Sequence, residues 1–370
     1  MNTISPGLDG VVAAETMLSQ VDGRAGRLIV RGKDIEEIAA DYDFAHMAAL
    51  LWDGLAPKFT SPAVIRRDLG QARLAAAALL PKLLPATLGL PPIEGLRAGL
   101  ALLSDADCDH HLLCAAVPVF TGALWRQTQG QASIAPNPKY GQAEDFLAML
   151  TGKVPDPAAA RALETYLVTV ADHGLNASTF TARVVASTRA GMVSSVTAAL
   201  CALKGPLHGG APGPVLDMLD EIGDVDGVTP WLEKQFAAGN RLMGFGHRIY
   251  RTRDPRADVL KGVVAKLRGH RGSGKNRIAL AEAVETAILA ELAVRYPTRP
   301  LDTNVEFYTA LALEAIGLPR ELFTLAFAMG RVLGWTAHIF EQEQSGRMIR
   351  PASRYIGPVP EGGMAAAVAG

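Results

Sequence analysis

A single carboxylate, Glu306, stands at the start of an almost wholly apolar run, TNVEFYTALALEAIGLP, residues 303–319. Burying a carboxylate among such side chains costs several kcal/mol unless a partner compensates for the lost hydration. One interpretation is structural, because Thr303 and Glu306 have the S/T-x-x-E spacing of a helix capping box. Gly317 followed by Pro319 is typical of the end of that helix. The other interpretation is that Glu306 is a general base, in which case other segments must supply its partners.

Two histidines lie in segments where glycine and proline disfavour regular structure. His208 occurs in GPLHGG and His247 in GFGHRIYRTRDPR. Such a backbone is irregular and can approach a ligand closely. One loop histidine alone is more often simply solvated. Two of them, together with several arginines and a candidate carboxylate, favour a functional site.

Arginines mark a fourth segment, GRVLGWTAHIFEQEQSGRMIRP, near the C-terminus. An arginine in an apolar helix requires a planar anionic partner, which is either a structural carboxylate or a substrate carboxylate. Arg350 follows the helical pattern. Four side chains share one helical face, at positions i, i+4, i+7 and i+11: Arg331, Trp335, His338 and Gln342.

These residue types together suit one kind of reaction, which is carbon–carbon bond formation by general acid–base catalysis. A carboxylate would remove a proton from a carbon next to a carbonyl group. One histidine would stabilise the enolate oxygen, and a second would polarise the electrophilic carbonyl. The arginines would hold an anionic acceptor.

Helical periodicity dominates the chain that must position these groups. Apolar residues recur at three- and four-residue steps in residues 34–55 and 143–152. A long Ala-rich region, residues 162–206, has the same pattern with a break near His173. Alternation typical of a strand is confined to the short segment 26–32. We therefore predict a mainly α fold.

The composition narrows the possible function classes. The 370 residues include 36 Lys and Arg against 37 Asp and Glu, and this net charge of −1 argues against a nucleic-acid-binding protein. The three cysteines, Cys108, Cys114 and Cys201, form no even framework and indicate a reducing cytoplasm. Residues 1–10 lack the features of a signal peptide. The apolar run 191–203 is too short to span a membrane.

Three segments resemble binding motifs without matching them. Residues 241–277 hold eleven Lys and Arg and two acids, which suits either a solvated basic helix or a cradle for a small polyanion. GHRGSGKN, residues 269–276, is similar to a phosphate-binding loop, but Asn276 replaces the Ser or Thr that would bind magnesium. CDHHLLC, residues 108–114, lacks paired zinc-ligand spacing and favours the start of a helix. We therefore predict no metal site and no nucleotide-binding loop.

Four motifs occur in one order along the chain: ADHGLNAST, GPLHGG, GFGHRIYRTRDPR and NVEFYTA. In this they resemble the citrate synthase family, and the similarity extends from residues 7–39 to residues 347–358. The resemblance implies a nearly all-α fold, with a large domain of residues 1–211 and 319–370 and an inserted small domain of residues 212–318. It also implies a homodimer that binds oxaloacetate and acyl-CoA as substrates, and no tightly bound cofactor.

The resemblance also assigns roles to individual residues. His208 stabilises the enol of acetyl-CoA, and His247 binds and polarises the oxaloacetate carbonyl. Glu306 occupies the position of the catalytic base. The acceptor is bound by His173, Arg256, Arg331 and, in the site of the neighbouring subunit, Arg350. CoA is bound by Leu242, Gly244, Gly246 and Arg251.

One departure concerns the base itself, because the family motif NVDF reads NVEF here. The carboxylate of Glu306 is extended by one methylene, about 1.5 Å, and a misplacement of that order can cost about 100-fold in rate. The pocket is adapted to the longer base, or the enzyme is slow, or the chain is a non-catalytic relative. We expect an adapted pocket, since the other matched polar positions are intact. The acyl donor, acetyl-CoA or the propionyl-CoA of 2-methylcitrate synthesis, depends on a pocket volume that the sequence does not give.

Overall fold

The computed structural model describes residues 5–58, 60–210, 212–240, 242–247, 249–268, 275–298 and 301–358. Over these residues the chain forms sixteen α-helices, with short 3-10 turns at Pro6–Leu8 and Arg320–Leu322. The helices are α1 (Ile35–Asp41), α2 (Phe44–Trp52), α3 (Pro62–Ala77), α4 (Leu80–Ala86), α5 (Pro92–Leu100), α6 (His110–Thr128), α7 (Gln142–Thr151), α8 (Pro157–Thr169), α9 (Ala177–Ala186), α10 (Met192–Leu203), α11 (Pro212–Ile222), α12 (Val228–Ala237), α13 (Pro255–Lys266), α14 (Lys275–Arg295), α15 (Val305–Ala315) and α16 (Phe323–Ser345). The predicted mainly α fold is confirmed.

A small antiparallel sheet precedes the helices. Its strands are β1 (Ser19–Asp22), β2 (Arg27–Val30) and β3 (Lys33–Asp34), in the order β1-β2-β3. The pattern at residues 26–32 correctly predicted β2. It gave no sign of β1, because SQVD is short and mostly polar and pairs with β2 only through the register that joins Ser19 to Val30.

The helical patterns at residues 34–55, 143–152 and 162–206 are confirmed as α1 and α2, as α7, and as α8 to α10. The break near His173 is also confirmed, between the end of α8 and the start of α9. Asn176 caps α9 by accepting a hydrogen bond from the Thr179 backbone amide at 3.1 Å. Polar residues at this break are therefore held close to a helix N-terminus.

Two helices, α6 and α16, lie at the centre of the apolar core. In α6 every residue from Leu113 to Leu124 is buried. The segment Arg320–Gln344, which includes most of α16, is long and apolar enough to cross a membrane, with a mean hydropathy of 1.2. However, 94% of that window is buried inside the protein, so the segment is a core helix.

Helix α16 touches α8 and the residues just after it at two glycines, and this contact positions a candidate site residue. A Cβ atom at Gly330 would lie 2.6 Å from the Leu167 carbonyl oxygen, and one at Gly334 would lie 2.2 Å from that of Ala171. Only glycine allows backbones to approach so closely. Arg331, between the two glycines, is thereby brought to the C-terminal end of α8. The predicted division into two domains stays a prediction.

Candidate active site

The start of α15 is not a capping box, and that interpretation of Glu306 is wrong. The capping residue is Asn304, whose side-chain oxygen accepts a hydrogen bond from the Glu306 backbone amide at 3.0 Å. Thr303 instead donates its hydroxyl proton to Glu285 at 2.7 Å. The Glu306 side chain therefore has no part in capping. The predicted helix end is confirmed, because α15 ends before Gly317, which has φ +79°.

Glu306 is partly buried, and the charges of two arginines and one acid act on its carboxylate. From the described residues, the structure shows no hydrogen bond to it. Burial raises the pKa of this carboxylate to about 7. The positive charges of Arg256 and Arg331 oppose the increase, and the negative charge of Asp254 adds to it. A carboxylate with a pKa near neutrality is suited to accept a proton from carbon at physiological pH.

His247 is a neutral hydrogen-bond donor with a fixed tautomer. Its Nδ1 accepts hydrogen bonds from the backbone amides of Ile249 at 3.0 Å and Tyr250 at 3.1 Å. The proton of the neutral ring must therefore be on Nε2. Burial, and then the charge of Arg256, lowers the pKa of His247 to about 4. At neutral pH the Nε2–H group can donate to an oxygen atom without the ring carrying a charge.

His173 lies next to this ring. The two imidazole centroids are 5.9 Å apart, and His173 Nε2 is 3.1 Å from the Tyr250 hydroxyl oxygen. Burial and the charges of Arg256 and Arg331 hold the pKa of His173 well below its ordinary value. The structure thus brings together two neutral histidines from segments far apart in the sequence.

Asp254 holds Arg256 in place and leaves the Nη1 donors of its guanidinium for another partner. Its Nε and Nη2 atoms bond to the two carboxylate oxygens of Asp254 at 3.1 and 2.8 Å. Asp254 also caps α13 and accepts a hydrogen bond from the Val305 amide at 3.3 Å, next to Glu306. Although burial lowers the pKa of Arg256, Asp254 more than offsets this and raises it. The Nη1 edge of this cation can bind a substrate carboxylate.

Arg331 is the second buried cation, only 1% exposed. Its Nε donates to the Val170 carbonyl at 2.6 Å, and its guanidinium lies 4.7 Å from the Phe327 ring centroid. Burial lowers its pKa to about 10, so it stays charged at neutral pH. The charge of Arg331 acts on both Glu306 and His208, which places it near the two groups.

His208 is held by a chain of hydrogen bonds. Its Nε2 is 2.8 Å from Ser178 Oγ, which accepts a hydrogen bond from Trp335 Nε1 at 3.2 Å. Ser178 donates its own proton to Asn176 Oδ1 at 2.8 Å, since two oxygens cannot bond without one donor. In this arrangement Ser178 accepts from His208 Nε2–H. Burial, and then Arg331, lowers the pKa of His208 to about 4.

The last two residues of the predicted stripe on α16, His338 and Gln342, form hydrogen bonds that hold the fold together. His338 is fully buried and bonds to Asp172 Oδ1 at 3.1 Å and to Arg183 Nη1 at 3.0 Å. Arg183 also donates to Gln342 Oε1 at 2.9 Å. Among the four stripe residues, Arg331 faces the other candidate groups and Trp335 supports them through Ser178.

A cavity of about 610 Å³ adjoins His247. Three of the residues expected to bind CoA line it: Leu242, Gly246 and Arg251. Gly244 does not line the cavity. Its carbonyl accepts from the Asn304 amide at 2.9 Å, which ties the cavity wall to the start of α15.

The basic side chains that are described in residues 241–277 are mostly paired. Lys261 bonds to Glu285, Arg268 to Glu282, and Arg277 to Glu314. Arg251 is exposed at the cavity and is this segment's contribution to a possible anion site. The loop-like motif at residues 269–276 lies outside the described residues, apart from the backbone at its last two positions.

Arg350 and the CDHHLLC segment lie apart from this cluster. Arg350 is exposed in the extended segment after α16. The expected helix start is confirmed, because Asp109 caps α6 by accepting from the Leu112 amide at 2.8 Å. Within the described ranges, no three His, Cys, Asp or Glu side chains are grouped so as to hold a metal.

The sequence reasoning missed three residues that shape the site. Ser178 orients His208, Tyr250 bridges the two histidines, and Asp254 holds Arg256. Asp254 gave a signal, because Asp before Pro at a helix start is typical of an N-cap. Ser178 and Tyr250 gave none, since their partners come from distant segments.

The fold and this cluster define an all-α enzyme for acid–base chemistry on small anionic substrates. The family model for the citrate synthase C-terminal domain matches residues 7–352. A citrate synthase from Haloferax volcanii is 35% identical over 95% of both chains, and citrate synthase 2 from Bacillus subtilis is 34% identical over 96% of both. The chain belongs to the citrate synthase family.

Solved structures agree with this assignment. Citrate synthase from Thermotoga maritima superimposes with a TM-score of 0.85 at 34% identity, over 97% of both chains. The enzyme from Thermoplasma acidophilum, in a ternary complex with carboxymethyl coenzyme A and oxaloacetate, gives 0.86 at 28% identity, over 97% of this chain and 98% of that one. The protein is thus a citrate-synthase-like acyltransferase.

Proposed function

We propose that the chain condenses acetyl-CoA with oxaloacetate to give citrate and CoA. One observation carries this proposal, which is a partly buried carboxylate, Glu306, on which the charges of two buried arginines act. The arginines suit a dicarboxylate acceptor, and the base suits proton removal from a weakly acidic carbon. The complex of the Thermoplasma relative with oxaloacetate and a CoA analogue supports the same substrate pair.

In the proposed reaction Glu306 takes a proton from the methyl carbon of acetyl-CoA. His208 donates from Nδ1 to the enolate oxygen as the other neutral tautomer: its Nε2 proton passes to solvent, Nδ1 takes a proton from solvent, and the Ser178 hydroxyl turns from Asn176 to donate to Nε2. The enolate carbon then attacks the oxaloacetate carbonyl carbon, whose oxygen is stabilised as an alkoxide by a hydrogen bond from His247 Nε2–H. The alkoxide takes a proton from solvent, and Glu306 returns its proton to solvent before the next turnover. Water then hydrolyses the citryl thioester, which releases citrate and CoA.

The cavity beside His247 is proposed to hold part of CoA. Arg251 would bind a phosphate group at its mouth, and Leu242 would supply apolar contact. We propose that the enzyme works without a tightly bound cofactor. His247 adjoins this cavity as well as His173, so the acyl group and the acceptor would meet at that ring.

We also propose a homodimer in which Arg350 reaches the neighbouring subunit's site. Arg350 is exposed in a segment that also exposes Met348, Tyr355 and Ile356, by 58%, 68% and 88%. Apolar side chains in such a segment suit burial against a second chain.

The choice of acyl donor is tested by thiol release with oxaloacetate and either acetyl-CoA or propionyl-CoA. We expect kcat/KM to be at least about tenfold higher with acetyl-CoA, because one methylene in a close pocket has an effect of that order. Each donor without oxaloacetate is the control. A higher kcat/KM with propionyl-CoA would assign the chain to 2-methylcitrate synthesis. Oxaloacetate binding without turnover of either donor would indicate a non-catalytic relative.

The pH dependence of turnover is expected to follow Glu306. The base acts when deprotonated, and burial raises its pKa to about 7, so kcat/KM should fall tenfold per pH unit below about pH 7 and level off above it. His208 and His247, with pKa values of about 4, stay neutral over this range. A profile of kcat/KM from pH 5 to 9 tests this. A profile that stays nearly flat down to pH 5 would show an unperturbed carboxylate.

A further inference from the structure

The N-terminal β1–β2 hairpin touches the two segments that carry His173 and His247. On one side, the Ser19 hydroxyl donates to Asp172 Oδ2 and accepts from the Gly174 backbone amide at 2.9 Å. These two residues flank His173. Ser19 therefore bonds to a side chain on one side of that histidine and to the backbone on the other.

On the other side, the turn of the hairpin packs against the loop that follows His247. The carbonyl of Gly23 accepts from the Arg251 amide at 2.7 Å. A Cβ atom on Gly23 would lie 2.3 Å from the Ile249 carbonyl oxygen, well inside any allowed contact. The hairpin turn and the histidine loop are thus in direct backbone contact.

Gly26, at the other end of the turn, is equally close to this loop. An added Cβ atom would lie 2.6 Å from Thr252 Oγ1 and 3.1 Å from the Arg253 carbonyl oxygen. The backbone of the turn is fixed, because Asp22 Oδ1 accepts hydrogen bonds from the amides of Arg24 and Ala25 at 3.0 and 2.9 Å. Such a side chain-to-backbone turn is locally fixed.

We infer that this hairpin is a positioning element for the acceptor site, with Ser19, Gly23 and Gly26 as positioning residues. It holds both histidine segments and so sets the 5.9 Å separation of the two rings. The loop amide of Ile249 bonds to His247 Nδ1, so a shift of that loop re-aims the Nε2–H donor. The inference rests on the proposed function, since it takes oxaloacetate as the ligand that the two histidines bind.

The chain offers a matched pair of variants to test this. Gly26 and Gly32 lie at opposite ends of β2 and both have positive φ, +64° and +82°, so alanine strains the backbone at each. At Gly32, however, a Cβ atom would meet no atom within 4 Å. The difference between Gly26→Ala and Gly32→Ala therefore reports the contact with Thr252 and Arg253 rather than backbone strain.

We expect Gly26→Ala to raise the oxaloacetate KM and its calorimetric Kd about tenfold above those of Gly32→Ala, with a smaller change in kcat. Displacements near 1 Å have effects of this order or greater. Thr252→Ala in the Gly26→Ala background removes the oxygen at 2.6 Å and should recover much of the loss. Ser19→Ala, which creates no clash, should also raise both constants.

The outcomes separate the two proposals. Failure of the unmutated chain to bind or turn over oxaloacetate overturns the proposed function and this inference with it. Normal wild-type kinetics with equal constants for Gly26→Ala and Gly32→Ala, and no effect of Ser19→Ala, overturn the inference alone. Should Gly26→Ala not fold, as judged by its thermal unfolding, Ser19→Ala decides, because an unchanged oxaloacetate Kd contradicts the positioning role.

Discussion

Replacing Glu306 by glutamine is expected to lower kcat by about 10²–10⁴-fold, the usual contribution of a general base. Glutamine keeps the size and shape of the side chain, but its amide cannot accept a proton from carbon. The arginines at 256 and 331 remain in place, so we expect the oxaloacetate Kd to change by much less than kcat. Thiol-release kinetics and calorimetry measure the two effects separately.

Stability provides the control for this variant. Burial raises the pKa of Glu306 from 4.5 to about 7, so the ionised carboxylate destabilises the fold increasingly as the pH rises from 4.5 to 7. The full effect, present above pH 7, is up to about 3 kcal/mol in the free energy of unfolding. Glu306→Gln should therefore be more stable than the parent at pH 8 and equally stable below pH 4.5. An active variant, or a variant destabilised at pH 8, would contradict the assigned role.

Glu306→Asp separates an adapted pocket from a poorly placed base. It restores the motif NVDF and withdraws the carboxylate by about 1.5 Å, a change of the order that costs about 100-fold in rate. If the pocket around Arg256 and Arg331 suits glutamate, the aspartate variant loses activity. A higher kcat in Glu306→Asp would show that the longer side chain is a handicap in this protein.

The sequence predicted the helices well because their signals are local. Apolar periodicity and breaks at glycine, as at residues 162–206, depend only on neighbouring residues. The predicted N-cap, Thr303, was one residue away from the actual N-cap, Asn304. Both residue types are good caps, and the choice depends on Glu285, which accepts the hydroxyl hydrogen bond of Thr303. Glu285 lies on another helix, which no local pattern includes.

The candidate site was predictable where residues stood in unusual local settings. Glycine next to His208 and His247, and a lone carboxylate in an apolar run, were visible without a structure. The stripe of α16 was correct in geometry, but the partners of His338 were not predictable, because Asp172 and Arg183 come from outside that helix. The hairpin contact with Arg251 was not predictable, since its partners are more than 200 residues apart.

Replacing His247 by asparagine is expected to lower kcat by about 10²–10³-fold, as for the loss of one donor to a developing oxyanion. The asparagine oxygen can replace Nδ1 and still accept from the amides of Ile249 and Tyr250, so the loop should keep its shape. The position of Nε2–H is left empty. The variant therefore separates the donor from the loop that carries it.

The matched control is His247→Gln, which can reach the Nε2 position with its amide donor but cannot accept both loop amides. We expect this variant to disturb oxaloacetate binding more than His247→Asn does, because the loop that ends at Arg256 loses its internal hydrogen bonds. Steady-state kinetics with calorimetric oxaloacetate Kd values distinguish the two. A near-normal kcat in His247→Asn would show that the carbonyl is polarised by another group, such as His173, whose ring centroid is 5.9 Å from that of His247.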